Sequence, residues 1–434
     1  MTLAPTRTRS AAWPGLDVTP SGLHAAVSAR VARRLFEAAV ARLAVTVRVE
    51  DRDGVRTLGR GGPVMTVHRP EEFFARVGRH QLIGFGESYL TGSWDAEDLC
   101  GVLTIMAAEL PDLVPHSLQR LRAMVVARPP RTHRNSRRNT RGNIAHHYDL
   151  SNELFALFLD PSLSYSSALF DTHVLPAGDC SRAATPAQGA DLHAGQLRKI
   201  DRLLDECRVG KGSRVLEVGT GWGELAIRAA QRGAMVRTVT LSTEQKALAE
   251  ERIAAAGLAE RVEVELLDYR ELRPEHGRYD AIVSVEMVEA VGHEYWSTYF
   301  STLDRLLAPG GRVGIQAITM PHDRMLATRH TWTWINKYIF PGGFLPSVEA
   351  IDQVTRRDTT LRVEKRLALG MHYAETLRQW DLAFRVRADD ARRLGFDETF
   401  ERMWHFYLEY SRAGFLSGYL DVQQLTLSRP EERA

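Results

Sequence analysis

Cysteine is scarce in this sequence: Cys100, Cys180 and Cys207 are the only three in 434 residues. They are too few for a disulfide framework, and no pair has metal-ligand spacing, so neither a disulfide-built secreted fold nor a cysteine-held metal is expected. Long apolar runs are also lacking, with none near the ~18–20 residues needed to cross a bilayer. Residues 1–15 carry Arg7 and Arg9 but no apolar core, so they do not read as a secretory leader. A cytoplasmic protein is the expectation. Net charge is only +2, which gives no reason to expect nucleic acid as a partner. Acid is missing locally, however, from residue 113 to residue 148, where Arg120, Arg122, Arg128, Arg131, Arg134, Arg137, Arg138 and Arg141 all fall. Such a block attracts anionic lipid headgroups, each cation contributing about 1 kcal/mol. It also has the marks of a solvated linker, Pro129-Pro130 and a run of Asn, Ser and Thr. Both readings stand.

A chain of this length exceeds one compact core, so at least two domains are expected. Residues 21–43 carry apolar residues at helical spacing, 45–49 alternate as a strand, 51–54 read as a turn, 63–68 as a second strand and 70–77 as a helix start. Residues 84–89 and 92–95 read as a glycine-rich turn region. The expectation is a small α+β domain over 1–125, then a basic linker over 126–145. From about residue 195, strands (215–218, 235–239, 262–266, 281–285, 313–318) alternate with helices (224–232, 243–256), which predicts a doubly wound parallel α/β sheet within a domain spanning 146–434. An aromatic insertion at 320–360 reads as a lid or a satellite core. Helices near 374–394 and 397–413 and a closing strand at 422–427 complete the pattern.

The strongest local signal is Val215-Leu216-Glu217-Val218-Gly219-Thr220-Gly221-Trp222-Gly223. A strand running into Gly-x-Gly-x-Gly lets backbone approach a ligand, because no Cβ obstructs it, and the helix that follows offers unpaired N–H groups. The third glycine comes one residue too early for the dinucleotide fingerprint. Glu217 suits the amino-acid part of S-adenosylmethionine. At the end of the second strand Thr240, Leu241, Ser242 and Gln245 replace the usual ribose-binding acid, and Ser242 with Gln245 also matches a helix capping box. After the third strand, Asp268 and Tyr269 are candidates for the adenine edge and face.

In several further segments the chain resembles the cyclopropane-fatty-acid synthases, including the mycolic acid cyclopropane synthases. They are His147-Tyr148-Asp149-Leu150-Ser151-Asn152-Glu153-Leu154-Phe155, Leu163-Ser164-Tyr165-Ser166-Ser167-Ala168-Leu169-Phe170, Gly219 to Gly223, Glu289 to Gly292, Trp334-Ile335-Asn336-Lys337-Tyr338-Ile339-Phe340-Pro341-Gly342 and His372-Tyr373-Ala374-Glu375-Thr376-Leu377. The resemblance covers roughly 140–430 in the right order, and the N-terminal region resembles the lipid-carrier-like domain of the longer bacterial synthases. It implies a class I methyltransferase domain with a lid over an acyl tunnel. It also implies S-adenosylmethionine as cofactor, held in part by Tyr165 and Ser166, and methyl transfer to the cis double bond of an unsaturated phospholipid acyl chain. The enzyme would then be peripherally associated with the inner membrane face.

The family's base is a bicarbonate held by Cys, Glu, His and Tyr side chains and a main-chain group. Matched position by position, Glu289 and Tyr373 are retained, but the Cys is Ser167 and the His is Gln316. The strand before Glu289 reads Ser284-Val285-Glu286 where the family has Ser-Val/Ile-Gly. Glu286 and Glu289, three apart, would share a face on a helical turn, and two buried carboxylates raise one pKa. This puts Glu286 forward as an internal base in place of bicarbonate, with a cofactor contact or a helix cap as the equal alternative. The changed base favours a 10-methylene product over a cyclopropane. Absence of a flavin or nicotinamide fingerprint means any later reduction needs a separate reductase. A lipid-binding protein without catalysis, methylation of a soluble amine and a homo-oligomeric state are left open.

Overall fold

A computed structural model describes residue 13 and residues 15–113, 151–177 and 180–430. The basic segment 126–145 and His147-Tyr148-Asp149 lie outside the described residues. The chain divides into two compact units, neither continuous: Met1–Arg128, Thr331–Ile339 and Phe384–Tyr419 form one, and Pro129–His330, Phe340–Ala383 and Leu420–Ala434 the other. Sequence periodicity gave a single cut near residue 125. The structure instead groups part of the aromatic insertion and the helix Glu398–Leu416 with the N-terminal residues.

The N-terminal unit holds helix α1 (Leu23–Val40) and a four-stranded sheet in the order β2-β1-β3-β4, from β1 (Thr46–Asp51), β2 (Gly54–Gly59), β3 (Val64–Val67) and β4 (Trp94–Ala96). Helix α2 (Pro70–Leu90) starts as the sequence indicates, with Pro at its first turn and Glu71 and Glu72 near its positive end. It then runs through the residues read as a turn. Gly84 and Gly86 are helical because they serve close packing. After a kink at Gln81 (φ 55°), a Cβ on Gly84 would lie 2.0 Å from the Arg76 carbonyl oxygen, and one on Gly86 would lie 2.5 Å from the Trp334 indole. Trp334 also packs edge-on to Phe406, while Tyr338 donates to buried Glu87 at 3.0 Å and Lys337 ion-pairs with it. These insertion aromatics therefore form a satellite core in this unit, one of the two readings that the sequence left open.

The second unit is built on a nine-stranded sheet of β5 (Val174–Ala177), β6 (Cys180–Ala183), β7 (Arg214–Val218), β8 (Met235–Thr240), β9 (Val262–Leu266), β10 (Tyr279–Val285), β11 (Leu307–Thr319), β12 (Arg362–Ala368) and β13 (Asp421–Ser428). Their order is β5-β6-β12-β13-β11-β10-β7-β8-β9. β7, β8, β9, β10 and β11 pair in parallel, and β13 lies antiparallel between β11 and β12. Two apolar clusters cover the sheet, one around Leu216, Ile282, Phe300 and Leu303 and the other around Val215, Ala226, Ile253 and Val283. The sheet is doubly wound, as the strand–helix alternation indicates. The chain runs outward from β7 to β9 and returns to β10 on the other side, and a crevice opens at such a reversal beyond the carboxyl ends of the strands.

Candidate active site at the β7–β10 switch point

Register explains why distant residues meet here. Val283 of β10 pairs with Glu217 of β7, Val285 with Gln316 of β11, and Gln316 with Gln424 of β13. Glu217 and Val283 share one row, and Val285, Gln316 and Gln424 share another two residues further along, so two neighbouring rows bring an acid, a strand end and two amides to the crevice.

The cavity beyond β7, about 150 Å³, is lined by Tyr165, Ser166, Glu217, Gly219, Gly221, Thr240, Leu241, Gln245, Tyr269 and Glu286 among others. Gly219 turns at φ 101°, and a Cβ there would lie 2.6 Å from the Met287 side chain. Gly221 (φ 52°) has open space at its Cβ position. Gly223 lies outside the lining: it caps the helix Glu224–Gln231 at φ 89° and packs on Ala249. Glu217 accepts a 2.6 Å hydrogen bond from Thr238, yet burial pushes its carboxyl up to about 8. A buried acid of this kind is suited to a cationic ligand group, which restores its ionised form. Glycine turn, buried acid, Thr240–Gln245 pair (3.0 Å) and Tyr269 ring together fit S-adenosylmethionine.

Ser242 turns away from the cavity lining to cap the helix Thr243–Ala255, accepting from the Gln245 N–H at 3.1 Å. The expected reciprocal box does not close, because the Ser242 N–H donates to Thr240 Oγ1 and Gln245 accepts from Thr240. Asp268, a candidate for the adenine edge, is engaged within the chain and is not part of the cavity lining. Arg270, two residues on, donates to both of its carboxylate oxygens, and the Arg270 N–H donates to Oδ1 at 3.0 Å. Of that pair Tyr269 alone lines the cavity.

At the end of β10 the backbone takes an uncommon turn: Glu286 sits at φ 51°, in the left-handed region that a long side chain rarely adopts. Its N–H donates to the Gln316 carbonyl at 2.7 Å. The conformation sends the carboxylate into a set of donors. Oε1 accepts from the Ser167 N–H and from Gln316 Nε2, both at 2.9 Å, and Oε2 accepts from the Tyr373 hydroxyl at 3.1 Å. Gln316 is itself oriented, its Oε1 accepting from Gln424 at 3.0 Å. The Ser167 hydroxyl is turned to the Ala168 carbonyl, so this position acts through its main chain. Three of the four side-chain positions that the resemblance assigns to bicarbonate, Ser167, Gln316 and Tyr373, are thus committed to Glu286. The set does not fit a separate anion as it stands.

Glu289 belongs to the same carboxylate cluster without sharing a helical face with Glu286. The short helix Val288–Val291 begins only after Glu286, which is the physical reason the expected pairing fails. Glu289 Oε1 accepts from the Ile318 N–H, and buried Oε2 has no hydrogen-bond partner among the described residues. Burial, and next the Glu286 charge, push Glu289 up to about 8. Glu286 is also raised by burial, against the lowering pull of its donors and of Lys199.

Lys199 is the functional residue that the sequence reading passes over. It lies buried on the helix Leu192–Glu206, lines the cavity and donates to Ser166 Oγ at 2.6 Å. Burial brings it down to about 8, with Glu286 the leading opposing charge. The signal is present: Gln196 and Lys199 interrupt an otherwise apolar buried stripe with Gly195, Ile200, Leu203 and Leu204. Gln196 donates its amide to the Ser164 and Ser166 carbonyls, fixing the extended segment that carries Ser167.

Comparison with known proteins places the chain in a family. A family model described as mycolic acid cyclopropane synthetase matches residues 135–425. Over 434 residues, 99% of each chain, the sequence is 51% identical to the tuberculostearic acid methyltransferase UfaA1 of Mycobacterium tuberculosis. It is 31% identical over 383 residues, 88% of this chain and 92% of the other, to the cyclopropane-fatty-acyl-phospholipid synthase of Escherichia coli K12. Among solved structures, the cyclopropane synthase MmaA2 from Mycobacterium tuberculosis superposes with a TM-score of 0.57 at 29% identity, covering 67% of this chain and 98% of that one. The mycolic acid cyclopropane synthase CmaA1 complexed with SAH and CTAB gives 0.57 and 29%, covering 69% and 98%.

Proposed function

The chain belongs to the mycolic acid cyclopropane synthetase family, and we propose that it adds one carbon to the cis double bond of an oleoyl-type phospholipid acyl chain, with Glu286 as the base and a methylene branch as the product. S-adenosylmethionine supplies the methyl group. The alkene π pair forms the new C–C bond as the methyl–sulfur bond breaks and S-adenosylhomocysteine departs with that electron pair, leaving a cation on the neighbouring carbon of the acyl chain. A hydride shift from the methyl-bearing carbon moves the charge onto that carbon, and loss of a proton from the new methyl leaves a =CH2 branch on the chain. Closing the ring instead, with the same proton lost, would give a cyclopropane.

The observation that carries this reading is the Glu286 carboxylate, gripped by Ser167, Gln316 and Tyr373 in the place the family gives to bicarbonate. A fixed carboxylate takes up the proton at the end of the reaction, and its buried setting holds its affinity above that of an exposed acid. Lys199 keeps it ionised by supplying a compensating charge within the same cavity wall. Peripheral contact with an anionic membrane and a separate reductase that saturates the branch complete the proposal. Incubation with dioleoyl phosphatidylglycerol and methyl-labelled S-adenosylmethionine tests it. Proton NMR of the released acyl chains should show terminal methylene protons; cyclopropane ring protons would overturn the product assignment, and no label transfer would overturn the activity.

A further inference from the structure

Helix α1 has two unlike faces. The inner one buries Ala25 and Val40, and sets Phe36 edge-on to Phe73 and Phe74 at 5.2 and 5.8 Å. The outer one carries Leu23, Val27, Val31 and Leu35, which are 89%, 60%, 52% and 51% exposed. Their spacing of four continues one stripe along successive turns. Arg30 and Arg34 are exposed along the edge of that stripe and make no ion pair among the described residues. Arg33, by contrast, is spent on Glu37 and Asp51 at 3.0 and 2.7 Å. Glu37, the single acid of the helix, is held between Arg33 and Arg56. The outer face is therefore apolar and cationic, with no available acid.

Large aliphatic side chains in water beside uncompensated guanidinium groups are the pattern of a helix that lies in a membrane interface. We propose that α1 docks on an anionic phospholipid bilayer, its aliphatic stripe at the boundary between headgroups and acyl chains and Arg30 and Arg34 on lipid phosphates. Charge complementarity selects this occupant. A second copy of the same face would set arginines against a surface with no acid to receive them, whereas an anionic bilayer offers both an apolar layer and negative charge. The inference rests on the reading of the substrate as a bilayer lipid, since docking then places the enzyme on its substrate phase.

The test uses the full chain with sedimented vesicles of dioleoyl phosphatidylglycerol and phosphatidylcholine, and with phosphatidylcholine alone. A quadruple variant, Leu23→Gln, Val27→Gln, Val31→Gln and Leu35→Gln, should lose at least tenfold in partition to the anionic vesicles. Arg30→Glu with Arg34→Glu should lose the preference for anionic over neutral vesicles. Both variants should bind S-adenosylmethionine and methylate oleoyl lipid dispersed in detergent as the parent does, because the altered side chains are exposed. Unchanged partition of the quadruple variant overturns the proposal. So does a parent dimer that becomes monomeric in the variant without change in partition, which assigns the face to a second copy. If even the parent fails on detergent-dispersed lipid, the proposed reaction falls, while vesicle partition still judges α1.

Discussion

At the carboxyl end of β7 the protein makes its site from backbone. Gly219 and Gly221 turn at positive φ, and one buried acid, Glu217, stands behind them. At the ends of β10 and β11 it makes its site from side chains at positions 199, 286, 316, 373 and 424, joined by the Ser167 main-chain N–H, with only Glu286 in an unusual backbone conformation. The first arrangement serves any ligand presenting a cation and a nucleotide-like group. The second holds one carboxylate in one place. On the proposed reading, cofactor binding and proton removal rest on separable parts of one crevice, and substitutions should separate them.

The largest separation is expected at the base. Glu286→Gln keeps the size of the side chain and should lower turnover by ~10²–10⁴-fold, the usual contribution of a positioned proton acceptor, with S-adenosylmethionine binding by calorimetry unchanged. Glu286→Gly is the sharper version. Glycine accepts φ 51° without strain, and removing the carboxylate frees the Ser167, Gln316 and Tyr373 donors for a small anion. Turnover should fall as far as in the Gln variant and then recover in part with added bicarbonate; equal rates with and without bicarbonate would show that those donors serve only to hold Glu286.

On the β7 side the effect is on binding. Glu217→Gln should weaken S-adenosylmethionine by roughly 10–100-fold, the range for loss of a hydrogen bond to a charged group, while the pH profile of turnover at saturating cofactor stays in place. Lys199→Met should do the reverse. Removing the cation that favours ionised Glu286 moves the acidic limb of the pH–rate profile to higher pH, lowering turnover at neutral pH by about tenfold; an unmoved limb would remove Lys199 from the account of the base.

The smallest effect is on stability. Glu217 and Glu289, pushed up to about 8 by burial, hold protons that the unfolded chain has released above the ordinary carboxylate range. Their contribution is complete below that range and is lost as pH rises through about 8. His372, brought down to about 4 by burial, works in the opposite sense, but its change is complete above about 6.5. Thermal melting between pH 6.5 and 8 should therefore fall with rising pH, and Glu289→Gln should flatten the slope.

The same contrast explains what could be read from the sequence. The glycine turn is contiguous, so residues 215–223 carry its meaning without a fold, and the strand–helix rhythm from 195 onward gave the sheet. Glu286 stood out because it replaces a glycine in a short segment. Its grip could not be read locally, because it depends on β10 pairing with β11 and β11 with β13, which sets Gln424 behind Gln316. The engagement of Asp268 was hidden for a related reason: a neighbouring arginine donates to it, and sequence does not show which way Arg270 turns. The helical stretch at 84–89 was mistaken for a turn because glycine signals close packing as readily as it signals a bend.

The central claim is that Glu286 takes the proton that ends the reaction. The most direct measurement is methyl transfer from labelled S-adenosylmethionine to dioleoyl phosphatidylglycerol by Glu286→Gln, with bound cofactor verified by calorimetry and products identified by NMR. The account predicts full cofactor binding with methylene formation cut by at least ~10²-fold. Methylene formation at the parent rate would contradict it.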